Sequence, residues 1–216
     1  GPGAPDLLTL RGLNALQKAD VIIVDSLLPP DYLQQLPLSL TSKQVVKLGC
    51  GEKRWTQERI NQEVVDHARE GRVVARLKGG DPGVFGRLAE AMAALRQAGI
   101  AVEAIPGPSV ATAAATASGV PMTVRERGRS FAAATARGKG GSVVPELPQA
   151  DTLAIYMGLE AAPAIRDRLL AQAWPPGTPV RVVERATMTF ESLHHCTIDD
   201  LPACVSENNI GSPALL

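Results

Sequence analysis

The sequence predicts an α/β protein of two domains, residues 1–118 with a mostly parallel sheet and residues 119–216 with a mixed one. Three observations carry that expectation. Short β-branched runs alternate with helical segments through the first half, the pattern that builds a parallel sheet with helices on its faces. The stretch Val73 to Arg87 passes from a buried strand through Gly79-Gly80-Asp81-Pro82 into a helical segment. That is how α/β proteins hold a small ligand at the carboxyl end of a sheet. The chain has 216 residues, 45% of them hydrophobic and 20% charged, enough for sizeable cores.

Taken in order, Gly1-Pro2-Gly3-Ala4-Pro5 is a loop, and Leu10, Leu13 and Leu16 then recur at helical spacing. Asp20 to Val24 reads as a buried strand ending in Asp25. The carboxylate there is either a working group or a turn former ahead of Pro29-Pro30. Gln44 to Gly49 is a second strand, with Lys47 near its end. Thr56 caps a helix running to about Arg69, with Ile60, Val64 and Val65 on its inner side. The central strand follows. Beyond its glycine turn, Val84 to Ala98 reads as a helix with Leu88, Met92 and Leu95 on one face. Ala101 to Ile105 reads as a further strand, closed by Pro106-Gly107-Pro108. Ser109 opens a small-residue helix, Val110 to Ser118.

Gly119-Val120-Pro121-Met122 reads as the linker into the second domain. Arg125, Arg127 and Arg129 alternate; in an extended segment they project to one side, and such a fan suits a polycarboxylate or a phosphate. Ser130 to Thr135 is a strand or an alanine-rich helix. Arg137-Gly138-Lys139-Gly140-Gly141 is a flexible basic loop. Thr152 to Leu159 is a strand and turn, then a helix spans Glu160 to Ala173. Pro179 to Glu184 is a strand, and Glu191 to Thr197 an antiparallel one carrying His194 and His195. Asp199 to Glu207 is a short helix, and Ser212 to Leu216 reads as the start of a strand.

Composition narrows the function. With 22 basic and 22 acidic residues the formal charge is zero, which argues against a nucleic-acid partner. Aromatics are 3%, too few for a base-stacking platform. No apolar run reaches membrane-spanning length and no signal peptide is visible, so no membrane partner and a cytoplasmic location are expected. Cys50, Cys196 and Cys204 are scattered without metal-ligand spacing, so no metal is expected. A dehydrogenase-type nucleotide fold is disfavoured, because no Gly-x-Gly-x-x-Gly follows a first strand.

The string Arg76-Leu77-Lys78-Gly79-Gly80-Asp81-Pro82, followed after one residue by Val84-Phe85-Gly86-Arg87, closely resembles a signature of the tetrapyrrole (corrin/porphyrin) methylase family. So do the loop Gly1 to Leu10, the strand Asp20 to Leu27, Ala104 to Ser109, Ser118 to Thr123, Arg129-Ser130-Phe131, Tyr156 to Leu159 and Ser212 to Leu215. The first of these loops normally follows a first strand. The resemblance implies the two-domain tetrapyrrole methylase fold, a cofactor cleft between the domains, and a homodimer. It implies an enzyme that uses S-adenosylmethionine to C-methylate uroporphyrinogen III, giving precorrin-2 on the route to sirohaem and cobalamin, with S-adenosylhomocysteine as product.

The resemblance assigns cofactor binding to Pro2, Gly79, Gly80, Asp81, Val84, Ser109, Val110, Met157, Ala186 and Ala214. Asp25 matches a proton acceptor and Lys47 a proton donor. Arg76, Arg87, Arg125, Arg127 and Arg129 are the candidates for the carboxylates of the tetrapyrrole substrate. The chain departs from the family pattern at Ala4, Ser26, Pro108, Leu88-Ala89 and Ala136-Arg137. Two other readings stay open: methylation of a later corrinoid intermediate, and a degenerate copy that binds the cofactor without methyl transfer.

Overall fold

The computed structural model describes residues 2–49, 55–138 and 146–216. Cys50, Gly51 and the basic loop at Lys139-Gly140-Gly141 lie outside the described residues. Two compact units divide the chain, Gly1–Ser109 and Val110–Leu216.

The first unit is built on a three-stranded parallel sheet in the order β2-β1-β3, where β1 is Val21–Val24, β2 Gln44–Lys47 and β3 Val74–Leu77. All four β1 residues are buried, as expected of a central parallel strand covered on both faces. Alternation along β1 splits the core in two. Ile22 and Val24 pack with Leu16, Leu28, Leu33 and Leu77, the side covered by helix α1 (Leu10–Lys18). Val21 and Ile23 pack with Leu48, Ile60, Val64 and Leu95, the side covered by α2 (Gln57–Arg69) and α3 (Leu88–Gln97). Side chains at the strands' carboxyl ends inherit the same alternation. The Thr9 and Thr56 hydroxyls cap α1 and α2 by accepting from the Gly12 and Arg59 amides. Of the expected α1 face, Leu16 is buried, while Leu10 is 80% exposed.

Two expectations in this unit are corrected. The helix expected from Val84 begins at Leu88, because Phe85 (φ 51°) and Arg87 (φ 56°) are left-handed and break the helical path. Gly86 turns so tightly there that a Cβ on it would lie 2.3 Å from the Pro82 carbonyl oxygen. Residues 101–105 form no strand. A cavity of about 950 Å3 lies against β3, lined by Val74, Arg76 and Lys78 and also by Val102, Ala104 and Ile105. β3 is therefore an edge strand with no ladder to 101–105.

The second unit opens with α4 (Val110–Ala117). The sequence places this helix with the first domain. Its buried Ala111 and Ala114 instead share a cluster with Ala154, Val183, Ala186 and Leu215, all in the second unit. The sheet here is mixed, in the order β4-β5-β8-β6-β7, with β4 Phe131–Thr135, β5 Thr152–Tyr156, β6 Pro179–Glu184, β7 Ser192–Thr197 and β8 Ala214–Leu215. β4 and β5 are parallel, and β8 runs antiparallel to both β5 and β6. Strand pairing thus settles Phe131–Thr135 as β, and β7 pairs antiparallel with β6 as expected. Helices α5 (Ala162–Ala171) and α6 (Leu201–Glu207) cover one face through Ile165, Leu169, Leu201 and Cys204, packed with Ile155, Val182 and Ile198.

Candidate functional site

In the first unit the expected residues gather at the carboxyl ends of β1 and β3. Beyond β3, Gly80 takes φ +83°, a conformation open to glycine at little cost. Asp81 then organises the loop: its Oδ1 accepts the Gly83 amide at 2.7 Å and its Oδ2 the Gly107 amide at 3.3 Å. A Cβ on Gly107 would lie 2.7 Å from the Gly80 carbonyl oxygen. Two backbone segments thus meet with no room for a side chain. Pro2 and Gly80 both border the cavity beside β3, whose volume is in the range of small-molecule sites, about 300–1,000 Å3. This glycine cradle with one carboxylate suits the amino-acid or ribose groups of a nucleoside ligand. Val84 follows through a turn in which its amide donates to the Asp81 carbonyl.

Asp25 follows β1, and its amide still donates to the Leu77 carbonyl at 3.0 Å. Its Oδ1 accepts the Leu27 amide, so the turn-forming role is real. Its Oδ2 lies 3.6 Å from the Lys78 ammonium nitrogen, and both side chains are about four-fifths buried. At that length the contact is an ion pair and not a direct hydrogen bond. Arg76 stands two residues before Lys78, on the same side of β3. Its guanidinium reaches Gln57 of α2 at 3.5 Å, and its Nε is buried without a hydrogen-bond partner. Burial lowers the Arg76 pKa, with Asp25 pulling the other way and Arg87 adding to the lowering. Burial also lowers Lys78; Arg76 reinforces this, Asp25 opposes it, and Arg87 adds a smaller push downward. Arg87 is exposed and pairs with Glu90 at 2.5 Å. A half-buried excess of positive charge therefore surrounds one carboxylate, as an anion site requires.

Lys47 is not brought to this cluster. Strand alternation puts it on the same side as Val45, which packs against the α1-side core. Asp25 continues the opposite side, with Ile23. The Lys47 ammonium group instead donates to the Pro30 carbonyl at 3.5 Å.

In the second unit, Val110 begins α4 directly after Ser109. Met157, Ala186 and Ala214 are brought to one end of the central strands of the mixed sheet. Tyr156 pairs with Leu215, and Glu184 with Ala214. Met157 therefore follows the end of β5, Ala186 follows the end of β6, and Ala214 opens β8. Met157 (φ 56°), Arg185 (φ 51°) and Thr187 (φ 62°) are all left-handed non-glycine residues, strain of the kind that collects at ligand sites. Glu191 accepts the Thr187 amide, and the Tyr156 hydroxyl accepts the Ala111 amide at 3.2 Å. Met157 is 45% exposed, whereas Ala186 is buried.

The arginine fan is corrected. Val124 and Gly128 exchange backbone hydrogen bonds of 2.9 and 2.8 Å, and Glu126 takes φ +70°. Residues 124–128 are thus a tight turn, in which period-two projection does not apply. Arg125 and Arg129 border a shallow concavity with Thr123 and Glu126; Arg127 does not line it. Asp151 accepts the Arg129 and Ser130 amides and the Ser130 hydroxyl. Among the described residues, no group of three or more His, Cys, Asp or Glu could hold a metal ion.

Sequence reading missed Lys78, Gln57 and Gly107. Lys78 had a signal. It lies two residues beyond Arg76, and the register Val24↔Leu77 sets residues 25 and 78 side by side once the two strands are paired.

A model of the tetrapyrrole (corrin/porphyrin) methylases matches residues 1–202. A siroheme synthase of Gluconacetobacter diazotrophicus is 40% identical over all of this chain and 47% of its own length. This chain thus spans about half the length of that curated relative. A uroporphyrinogen-III C-methyltransferase of Bacillus subtilis is 37% identical over all of this chain and 86% of its own length. Among solved structures, a uroporphyrin-III C-methyltransferase from Thermus thermophilus complexed with S-adenyl homocysteine superposes with a TM-score of 0.82. It is 32% identical, with all of this chain and 87% of that chain covered.

Proposed function

The chain belongs to the tetrapyrrole (corrin/porphyrin) methylase family, and from that premise we propose that it is an enzyme that C-methylates uroporphyrinogen III with S-adenosylmethionine. Two methyl additions give precorrin-2, which feeds sirohaem and cobalamin formation. The observation that carries the proposal is the meeting of the Gly79-Gly80-Asp81 loop with Asp25 and a cationic cluster at the carboxyl ends of β1 and β3. The names of the Bacillus and Thermus relatives support the substrate, and the Thermus complex supports the cofactor.

S-adenosylmethionine, when bound, supplies an electrophilic methyl group on a sulfonium centre. Gly79, Gly80 and Asp81 would hold its polar groups, with Pro2 and Val84 nearby in the same unit. The family resemblance adds Ser109, Val110, Met157, Ala186 and Ala214 to the cofactor set. The chain's main contribution is to hold an electron-rich pyrrole carbon in line with the methyl group, a matter of proximity and orientation. Arg76 and Arg87 engage carboxylates of the tetrapyrrole, and Arg125 and Arg129 are the cations of the second unit suited to such groups. Asp25 accepts the proton that the ring loses after methylation. We read the working form as a cytoplasmic homodimer, on the family resemblance; no helix among the described residues is long and apolar enough to cross a membrane.

The test is methyl transfer from labelled S-adenosylmethionine to enzymatically generated uroporphyrinogen III without oxygen, with cofactor binding measured calorimetrically on the same preparation. A doubly methylated product is expected. Transfer only to a later corrinoid intermediate would replace the substrate assignment, and binding without any transfer would refute catalysis.

A further inference from the structure

The reading of Asp25 as a proton acceptor leaves open which cation serves it. The resemblance matches Asp25 to a proton acceptor and Lys47 to a proton donor, and the geometry does not bring Lys47 to Asp25. Lys47 continues the α1 side of the sheet and bonds to Pro30, while Asp25 continues the opposite side, toward α2 and α3. Lys78 lies on that side, after the neighbouring strand, 3.6 Å from the Asp25 carboxylate. β1 and β3 are in register up to Val24↔Leu77, and the Asp25 amide is bonded to the Leu77 carbonyl. The backbone ladder itself thus fixes the approach of the two side chains.

We propose that Lys78 is the positioning residue of Asp25, its ammonium group holding the carboxylate aimed for proton acceptance during tetrapyrrole methylation. The proposal rests on the function proposed above. In the step it serves, the ring carbon–methyl bond has formed while the methyl–sulfur bond broke, its electron pair staying with the departing S-adenosylhomocysteine, and the ring carries the positive charge. A ring C–H bond then breaks, its electron pair returns to the ring, and Asp25 takes the proton. The proton of a cationic ring is acidic, so a carboxylate suffices to take it. Arg76 lies in β3, two residues before Lys78, and its guanidinium reaches Gln57 of α2. Arg87, tied to Glu90, is the other charged group acting on the pair. Lys78 is thus the cation in direct contact with Asp25.

The test uses the full chain and two readouts. In steady-state kinetics, Lys78→Met should lower kcat about tenfold or more, the lower end of what assisted proton transfer contributes. The KM for uroporphyrinogen III and the affinity for S-adenosylhomocysteine should change little. Lys78→Arg should recover most of kcat, and Lys47→Met should cost less than Lys78→Met. A raised KM with kcat preserved would make Lys78 a carboxylate anchor and overturn the proposal. The second readout needs no turnover. In lysine-labelled protein followed by NMR, Asp25→Asn should shift the Lys78 titration to lower pH, since a stabilising anion is lost while Arg76 and Arg87 remain. An unmoved titration would also overturn it. If the NMR shift appears but the unaltered chain transfers no methyl group, the ion pair stands and the function proposal fails, taking the assigned role with it.

Discussion

Asp81 and Gly107 are joined by a hydrogen bond from the Gly107 amide to Asp81 Oδ2, 26 residues apart in sequence and 3.3 Å apart in space. The other carboxylate oxygen accepts the Gly83 amide. One side chain thus ties the strand-end loop both to itself and to the segment before α4. Asp81→Ala should leave both amides without their partner and loosen the cradle. The expected result is a loss of S-adenosylhomocysteine affinity of about tenfold or more by calorimetry, roughly 1.4 kcal/mol. Unchanged affinity would remove this loop from the cofactor site.

Gly107→Ala probes the same contact from the other side. The added Cβ would sit 2.7 Å from the Gly80 carbonyl oxygen, a backbone atom that cannot swing away as a side chain can. Overpacking of this kind costs about 1–3 kcal/mol. Each kcal/mol should lower the melting temperature by roughly 2–4 °C in a chain of this size. Affinity for S-adenosylhomocysteine should fall with it, because Gly80 is displaced. A variant that melts like the parent would show that the Gly80 loop yields freely.

Asp25→Asn keeps the acceptor for the Leu27 amide but removes the charge. If Asp25 takes a proton in turnover, kcat should fall about 10²-fold or more, with cofactor affinity held. Retention of kcat would return Asp25 to the role of turn former.

Much of this was legible in the sequence, and the failures share a cause. The strands β1, β2 and β6 are short runs rich in β-branched residues whose pattern is local, and Thr56 announces its cap by residue type. The glycine-aspartate loop was likewise visible as a loop. Residues 101–105 have strand-like composition, but a strand exists only if a neighbour lies within hydrogen-bonding reach, and across the cavity from β3 none does. The arginine alternation at 125–129 was real, yet Gly128 folds back on Val124 and cancels the periodicity. The Asp25–Lys78 pair was hidden because 53 positions separate the two, and only sheet register makes them neighbours. Lys47, matched by resemblance to a proton donor, ends β2 on the other side of the sheet from Asp25.

Asp151 offers a prediction about pH. The Ser130 hydroxyl, then the Ser130 and Arg129 amides, hold its carboxyl below the usual carboxylate value. A pKa depressed in the folded state stabilises above the unfolded-state value, and that stabilisation is lost as pH falls through the folded value. Asp151 anchors the start of β4, since the turn at 124–128 feeds directly into Arg129 and Ser130. Asp151→Asn should therefore lower the melting temperature near neutral pH. The gap between variant and parent should then close as the buffer is taken below the ordinary carboxylate range, where the parent's own Asp151 becomes protonated. Melting curves of both proteins from neutral to acid pH would check this. A gap that stays constant with pH would mean that the anchor acts through shape alone, without the charge.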